Sequence, residues 1–419
     1  MKTPKAEQIV KRHGGRESLL KTYRQKEPVM VTRPTMPQLA EYVRYLDGIW
    51  RRCWLTNDGE LHRQLEAELA LYLGIEHLSL FCNGATALLV ALQALGVNGG
   101  EVITTPFTFP ATTHVLHWNR VQPVFCDIEP DTFNIDPERV ERLIGPDTCA
   151  ILAVHVYGNP CNVERLEEIA HRHHLVLIYD AAHAFGVRLG DRSVLEFGHM
   201  SMLSFHATKV FSTIEGGALV SQSDADRRRV NCLKNFGIAN EESVIGPGIN
   251  GKMNEFQAAF GLLQLKTADT DIERRRLLVK RYRECLRGVP GIRVLNDIPG
   301  VRHNYGYFPI LVDTETYGMS RDDLYCVLRE FNIFTRKYFY PLVSHAPCYA
   351  GLPSAAPAKL PVAEKTASQV LCLPVFGTLS LQTVEVIARI IRLLGSAHGL
   401  SDHRDDVIHA PRDPAASRV

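Results

Sequence analysis

Apolar residues recur with a helical period from about residue 55 onward. Leu61, Leu65, Leu69 and Leu73 are spaced four residues apart, and Gly74 follows them directly. This spacing places the leucines on one face of a helix, and a glycine is typical of the position just beyond a helix C-terminus. The pattern therefore predicts an amphipathic helix that ends at Gly74.

Short apolar runs alternate with helical stretches along the first half of the chain. The predicted strands are residues 78–82, 101–105, 121–126, 150–154 and 176–179, and the predicted helices include residues 84–95 and 163–173. Asp136-Pro137 predicts the start of another helix, with the aspartate at the cap. Apolar strands joined by helices indicate an α/β fold in which helices cover both faces of a mainly parallel sheet. Sites in such folds lie at the carboxyl ends of strands.

The rest of the chain predicts a second, smaller domain. A long helical stretch from Met253 to beyond Arg283 is expected to lead from a large domain, residues 31–288, into a small α+β domain, residues 289–400. Residues 1–30 hold eight Lys and Arg against three Glu and lack an apolar stretch, which predicts a solvated basic arm. Residues 401–419 have little apolar content and are predicted to form a loose tail.

Charge and composition narrow the classes of protein that fit. The chain has 47 basic and 46 acidic residues, so no overall field draws it to nucleic acid or a membrane surface. No apolar run is long enough to span a bilayer. The ten cysteines include no CxxC pair, and Cys82, Cys126 and Cys149 lie in apolar runs. We expect free thiols in the reducing cytoplasm, with no metal site, disulfide framework, nucleic-acid partner or membrane partner.

The stretch from Ser204 to Lys209, S-F-H-A-T-K, ends an apolar strand in a polar turn. A lysine in such a turn can be desolvated, which lowers the pKa of its amine and lets the neutral amine attack a carbonyl. Such a lysine suits a Schiff base with an aldehyde cofactor. The alternative is an ordinary surface lysine after a strand. His206 in the same stretch is interpreted as structural rather than catalytic.

Three other strand ends could contact a flat, phosphorylated cofactor. Asp180 could pair with a protonated pyridine nitrogen, although an aspartate there can also cap a turn. Gly84 and Ala85 open a helix whose N-terminal N–H groups could bind phosphate. Phe109 could stack on a ring or belong to the core. Together, these features and Lys209 lie in the order that predicts a pyridoxal 5′-phosphate site.

The same motifs resemble the sugar aminotransferase family named for the DegT, DnrJ, EryC1 and StrS proteins, over roughly residues 30–395. The resemblance implies an aspartate-aminotransferase-like fold (fold type I of pyridoxal-phosphate enzymes) and a homodimer with shared active sites. It implies that Lys209 holds the cofactor, Ser204 contacts its phosphate, Asp180 pairs with its ring nitrogen and His183 lies near its phenolic oxygen. The resemblance also implies that Phe109 stacks on the cofactor ring and that Asn250 reaches the cofactor phosphate in the neighbouring subunit.

The chain departs from the family pattern at two positions. The phosphate turn reads Gly84-Ala85 where the family usually has Gly-Thr, so backbone contacts are kept and a hydroxyl is lost. Lys252 stands where the family has Arg in the stretch 248–255, which removes a bidentate group. Some relatives carry His at the lysine position and catalyse dehydration. The presence of Lys209 favours transamination.

Several short sequence segments are similar to those of a subgroup of enzymes that aminates nucleotide-linked 4-keto-6-deoxyhexoses. They are residues 32–35, 54–57, 304–309 and 336–341. The resemblance implies L-glutamate as amino donor and a keto sugar such as dTDP-4-keto-6-deoxyglucose as acceptor, giving a 4-amino-4,6-dideoxysugar. Arg33, Arg336 and Lys337 are candidate partners for the diphosphate. Alternatives are a 3-keto-6-deoxyhexose or keto-cyclitol acceptor, or a non-catalytic binding or regulatory protein on the same fold.

Overall fold

The computed structural model describes residues 16–395. Its strands are β1 (Val29–Met30), β2 (His77–Phe81), β3 (Glu101–Thr104), β4 (Gln122–Phe125), β5 (Thr148–Val154), β6 (Val176–Asp180), β7 (Arg188–Leu189), β8 (Arg192–Ser193), β9 (Met200–Ser204), β10 (Gly217–Ser221), β11 (Ile238–Asn240), β12 (Ser243–Val244), β13 (Ile292–Val294), β14 (Val301–Arg302), β15 (Phe308–Val312), β16 (Ile333–Phe334) and β17 (Val370–Leu373).

The same described residues also form α-helices. They are α1 (Arg16–Tyr23), α2 (Leu39–Arg52), α3 (Glu60–Leu73), α4 (Gly84–Ala94), α5 (Pro110–Trp118), α6 (Pro137–Leu143), α7 (Val163–Arg172), α8 (Asp224–Leu233), α9 (Glu255–Leu265), α10 (Ala268–Leu286), α11 (Thr314–Tyr317), α12 (Arg321–Glu330), α13 (Pro361–Gln369) and α14 (Leu381–Gly395).

A seven-stranded sheet with strand order β2-β10-β9-β6-β5-β3-β4 forms the centre of the large unit. Only β10 runs antiparallel to its neighbours, so the sheet is mainly parallel, as predicted. The register pairs Asp180 with Met202, and Gly217 with both Ser204 and Phe81. These pairings bring the carboxyl ends of β2, β6 and β9 to one edge of the sheet.

Helices cover both faces of this sheet, which confirms the predicted α/β fold. Along β6, Ile178 packs in a cluster with residues of α4 and α5, whereas Leu177 and Tyr179 pack with residues of α6 and α7. Successive side chains of a strand point to opposite faces, so a strand covered on both sides is apolar throughout. This is why the predicted strands read as continuous apolar runs.

Two helix boundaries follow from local sequence as predicted. The four leucines of α3 are buried, and Gly74 closes the helix with φ of 69°, a left-handed conformation that suits glycine. At α6, the Asp136 carboxylate accepts hydrogen bonds from Glu138 N at 3.0 Å and Arg139 N at 3.3 Å. These bonds satisfy N–H groups that lack partners at the start of a helix.

The prediction of a single long helix from Met253 to beyond Arg283 is wrong, because the structure has two helices there, α9 and α10. The break lies at Lys266 and Thr267. Thr267 has φ of −114° and ψ of 0°, and its hydroxyl donates to Gln264 O at 3.2 Å. A threonine side chain that bonds to nearby backbone competes with the helical pattern, which explains the interruption.

The smaller unit is built on the antiparallel sheet β13-β15-β17. Residues of this sheet, of α12 and α14 and of the second half of α10 share one apolar cluster. Leu19, Leu20 and Tyr23 of α1 pack against the same cluster, and β1 pairs with β16. Residues 16–30 are therefore not a solvated arm, because their apolar side chains cover the small unit. The domain boundaries at residues 30, 288 and 400 remain proposals, and residues 1–15 and 396–419 lie outside the described part.

A further apolar cluster joins the two units. Phe107, Phe125 and Tyr157 of the large unit pack with Phe339 and Leu342 in the segment that follows β16. This packing holds the segment 336–342 beside the carboxyl ends of β3 to β5. It thereby places side chains of the smaller unit at the predicted site.

Several features outside the site bear on the predictions about cysteines, membrane spans and metal sites. All ten cysteines are free, with Cys126 buried and Cys82 and Cys149 part-buried. Within residues 16–395, no helix is both long enough and apolar enough to cross a membrane. In that same part of the chain, no three His, Cys, Asp or Glu side chains are arranged to hold a metal ion.

Candidate active site

A cavity of about 390 Å3 lies where the carboxyl ends of the central strands meet the segment 336–339. Its lining includes most of the predicted cofactor contacts, namely Gly84, Ala85, Phe109, Asp180, His183, Ser204 and Lys209. These residues come from several turns that together span more than one hundred positions of sequence. The sheet register brings them together because parallel strands present their carboxyl ends at one edge.

Lys209 lies in the turn after β9, and its side chain is part-buried in the cavity wall. Its Nζ donates a hydrogen bond to the Tyr307 hydroxyl oxygen at 3.2 Å. Burial lowers the pKa of the Lys209 amine from 10.5 to about 8, while the Asp180 carboxylate works in the opposite direction. A substantial fraction of the amine is therefore neutral near pH 7 to 8, and a neutral amine is a nucleophile and a base.

Asp180 ends β6 and is only 5% exposed. Its Oδ2 accepts from the Thr112 hydroxyl at 2.7 Å, and its Oδ1 accepts from Ala182 N at 3.0 Å. Burial raises the pKa of the Asp180 carboxyl, whereas those two hydrogen bonds and the charge of Lys209 lower it. Each carboxylate oxygen can accept a second bond, so the group can still receive a cationic donor from the cavity.

His183 is held with one ring nitrogen turned away from the cavity. Its Nδ1 accepts a hydrogen bond from Tyr157 N at 3.1 Å, and its ring stacks at 3° on Phe339 with centroids 5.8 Å apart. Burial, with a smaller contribution from Lys209, keeps the pKa of His183 well below its usual range. The neutral ring therefore carries its proton on Nε2 and can donate a hydrogen bond from that atom.

The turn between β2 and α4 places the N-terminus of α4 at the cavity. Asn83 caps α4 by accepting from Thr86 N at 2.8 Å. The Thr86 hydroxyl accepts from Cys82 Sγ at 3.8 Å, and Thr86 is not among the lining residues. The N–H groups of Gly84 and Ala85 at the start of α4 are the ones placed to bind an anion.

Glycine is needed at position 84 because the turn is crowded. A Cβ built there would lie 2.8 Å from the Met202 sulfur and 3.3 Å from Ser204 Cβ. Ser204 itself lines the cavity beside this turn. The turn and the end of β9 thus form one compact corner of the cavity.

Two lining residues mark the rim of the cavity. Phe109 precedes α5 and is 58% exposed, so its ring is available to stack on a ligand rather than buried in the core. Arg336 is also exposed, and its guanidinium lies 5.6 Å from the centroid of the Tyr338 ring. Among the described residues that line the cavity, Arg336 carries the one guanidinium.

Comparison with known proteins agrees with this geometry. The model of the DegT/DnrJ/EryC1/StrS aminotransferase family matches residues 38–392. The chain belongs to this family. The resemblance inferred from its motifs is therefore confirmed, and the protein is an enzyme of the aminotransferase class.

Individual known proteins match this chain over most of its length. A dTDP-4-amino-4,6-dideoxy-D-glucose transaminase of Escherichia coli is 47% identical over 367 residues, which span 87% of this chain and 98% of that protein. The structure of DesI in the presence of its TDP-sugar product has a TM-score of 0.85 at 34% identity, covering 92% of this chain and 96% of that one. The PLP form of Spr1654 from Streptococcus pneumoniae, with a TM-score of 0.81 and 23% identity over 88% of this chain and 98% of that one, supports the fold alone.

The structure does not bring every predicted residue of this aminotransferase to the cavity. Lys337 pairs with Asp322 at 2.5 Å, and Arg33 is exposed outside the lining. Asn250 is exposed and pairs with Asn235 through an isolated β-bridge. Lys252 donates to Asn235 Oδ1 at 2.8 Å. Of the three diphosphate candidates, the geometry thus favours Arg336 alone.

Other residues of the site were not assigned by the motif analysis. Tyr307, Tyr338 and Phe339 line the cavity, and Thr112 bonds directly to Asp180. The three aromatic residues lie in the phrases 304–309 and 336–341, so their sequence signal was present but indicated no role. Thr112 lies in α5 and has no local signal that distinguishes it from other helical threonines.

Proposed function

We propose that this enzyme is a pyridoxal 5′-phosphate-dependent aminotransferase. It would move an amino group from L-glutamate to a nucleotide-linked 4-keto-6-deoxyhexose such as dTDP-4-keto-6-deoxyglucose. The product would be the 4-amino-4,6-dideoxysugar. One observation carries the chemistry: the Lys209 amine, with a pKa of about 8, shares a cavity with the buried Asp180 carboxylate.

The residues of the cavity fit pyridoxal 5′-phosphate. Asp180 is a buried carboxylate with acceptor capacity left, which suits the N–H of a pyridinium ring. His183 has Nε2–H available for a phenolate oxygen. The N–H groups of Gly84 and Ala85, with the Ser204 hydroxyl, suit a phosphate.

When bound, pyridoxal 5′-phosphate supplies an aldehyde that bonds amino groups and a pyridinium ring that withdraws electrons from the adjoining carbon. Asp180 would keep a proton on the ring nitrogen, because an anionic carboxylate next to that nitrogen favours the protonated form. Phe109 would cover one face of the ring. Lys209 would be the protein amine that holds the aldehyde between turnovers.

Lys209 Nζ would also move the protons in both half-reactions. As a neutral amine it takes the proton from the α-carbon of L-glutamate. As an ammonium it delivers a proton to carbon 4 of the keto sugar, where the new C–N bond forms. A group with a pKa of about 8 can serve in both directions near neutral pH, because both of its protonation states are populated there.

The nature of the acceptor rests on the relatives. The E. coli relative is a dTDP-4-amino-4,6-dideoxy-D-glucose transaminase, and DesI was solved with a TDP-sugar product. Arg336 at the cavity rim offers the charged donor that a sugar diphosphate requires. Arg336 and Lys209 line the same cavity, so a sugar whose diphosphate contacts Arg336 would extend toward Lys209.

We also propose that the enzyme works as a homodimer whose active sites are shared. Asn250 is exposed and outside its own cavity, which suits a residue that reaches a second subunit. Large apolar side chains are exposed on α2, such as Leu39 at 75% and Trp50 at 66%, and next to β12, where Ile245 is 60% exposed. Burial of such side chains is a usual driving force for association.

The test is a reaction with purified protein, pyridoxal 5′-phosphate, L-glutamate and dTDP-4-keto-6-deoxyglucose, followed by NMR of the product. An amine at carbon 4 of the sugar supports the proposal. An amine formed only from a 3-keto-6-deoxyhexose or a keto-cyclitol would move the assignment to that acceptor. A protein that neither binds the cofactor nor forms any amine would contradict it.

A further inference from the structure

Tyr307 makes a contact with Lys209 that the functions assigned above do not use. The Lys209 Nζ donates to the Tyr307 hydroxyl oxygen at 3.2 Å, across 98 positions of sequence. Lysine ends in a compact ammonium on a flexible four-carbon stem, so an unrestrained amine samples many positions. A hydrogen bond from the amine to a rigid aromatic side chain removes much of that freedom.

The Tyr307 ring is itself fixed from several sides. Its centroid lies 4.6 Å from that of His183 at 52°, 5.6 Å from Tyr157 at 43° and 5.9 Å from Tyr338 at 81°. Tyr307 directly precedes β15, which is the central strand of the small unit's sheet. The Tyr307 phenol therefore links the position of the small unit to the position of Lys209 in the large unit.

Asn304 anchors the loop that carries Tyr307. Its side chain is 1% exposed, and its Nδ2 donates to His183 O at 2.8 Å and to Phe185 O at 2.9 Å. Its Oδ1 accepts from Gly306 N at 3.0 Å. Asn304 thus ties the Tyr307 loop to the loop that bears His183, which keeps the phenol in register with the cofactor contacts.

The direction of the hydrogen bond matters for the chemistry. An amine that donates an N–H to the phenol oxygen keeps its lone pair free, and that lone pair can point away from the tyrosine. We propose that Tyr307 is a positioning residue, whose hydroxyl holds the Lys209 amine in the orientation that proton transfer at the α-carbon requires. This proposal rests on the proposed function for its reaction, although the contact itself is independent of the substrate.

The first test is the half-reaction of the pyridoxal-phosphate-loaded enzyme with L-glutamate, followed by absorbance, with protium or deuterium at the α-carbon. Tyr307→Phe keeps the ring and removes only the hydroxyl. We expect the maximal rate to fall about tenfold or more, KM to change by less than about twofold and the isotope effect to rise, because a misplaced base slows the proton transfer. Tyr305→Phe is the matched control, since it makes the same change two residues away and outside the cavity lining; it should leave all three values nearly unchanged.

The second test does not depend on turnover. The rate at which pyridoxal 5′-phosphate bonds to the cofactor-free protein is measured against pH, since only the neutral amine reacts. Its midpoint reports the pKa of Lys209, about 8 in the unmodified protein. We expect Tyr307→Phe to lower that midpoint, because the buried ammonium loses an acceptor.

The outcomes separate the two proposals. An unchanged rate, isotope effect and midpoint in Tyr307→Phe would overturn the positioning role, as would a raised KM with an unchanged maximal rate. If L-glutamate fails to react even with the unmodified enzyme, the donor assignment is wrong. In that case an unchanged midpoint in Tyr307→Phe would still overturn the contact on which the positioning role rests, and a lowered midpoint would support that contact.

Discussion

Two lysines of this enzyme are removed from water in two different cavities, Lys209 and Lys234. Burial lowers the pKa of both amines. Lys234 caps α8, is 7% exposed and donates to Leu80 O at 3.2 Å, in a cavity of about 420 Å3 that also holds Asp58 and Glu66. Lys209 instead faces a buried carboxylate, a phenol and a helix N-terminus.

The difference shows that a desolvated amine is only the starting point of a catalytic site. Around Lys234 a backbone carbonyl takes a hydrogen bond from the amine, and the nearby carboxylates favour the charged form. Around Lys209 the neighbours suit each part of one cofactor. A perturbed pKa therefore indicates function only where the surrounding groups converge on a common ligand.

The largest expected effect comes from removing the amine of the active cavity. Lys209→Ala should lose the visible absorption band of the bound cofactor and lower turnover by about 10⁴-fold or more, because it removes both the nucleophile and the base. Absorption spectra and the product assay measure this. Lys234→Met is the paired control and should keep the band. Turnover of Lys209→Ala within about tenfold of the unmodified enzyme would contradict the comparison.

The carboxylate next to Lys209 provides the second test. Asp180→Asn should still bind some cofactor but lose roughly 100-fold or more in rate, since an amide cannot hold the ring nitrogen protonated. Single-turnover absorbance with L-glutamate gives this rate. Asp127→Asn is the matched variant, because Asp127 is also buried but accepts from Val362 N and Ala363 N at the start of α13. If both variants lost rate equally, the position of Asp180 would not be special.

The lowered pKa of Lys209 also predicts how the stability of the cofactor-free protein depends on pH. Burying the Lys209 ammonium costs free energy while the group is protonated in both the folded and unfolded states, that is, below pH 8. That cost disappears as the pH rises from about 8 toward the ordinary value of 10.5. We therefore expect Lys209→Met to raise the unfolding free energy of the cofactor-free protein by about 1–3 kcal/mol at pH 7.

The gain from Lys209→Met should shrink between pH 8 and 10.5, which urea unfolding at several pH values can follow. A gain that does not depend on pH would mean that better packing, rather than loss of a buried charge, explains the stabilisation.

The smallest effect is expected at the rim, where a similar contrast separates Arg336 from Lys337. Arg336→Gln should raise the KM for the nucleotide sugar about tenfold with less change in kcat, because a charge-assisted contact to the diphosphate is lost. Lys337→Gln should change that KM much less, since its ammonium already pairs with Asp322. Steady-state kinetics with varied nucleotide sugar measure both. A larger effect of Lys337→Gln would reverse the assignment.

Much of the fold could be predicted because its signals are local. The leucines of α3, the cap at Asp136 and the apolar strands are patterns within a few residues. The same locality explains the failure between α9 and α10, where the apolar and helical pattern continues across Thr267 although the helix does not. It also explains the failure at residues 16–30, because the basic composition hides the few apolar side chains that pack on the small unit.

The sequence by itself determined the family and the residues at the strand ends, Asp180, Ser204 and Lys209, because each lies in a short motif next to a strand. Only the tertiary structure decided which distant groups complete the site. Thr112 reaches Asp180 across 68 positions, and Tyr307 reaches Lys209 from the small unit. Arg336 faces the cavity while Lys337, its neighbour, is paired elsewhere. Such choices depend on how helices and sheets pack, and packing joins residues whose local patterns carry no mark of the contact.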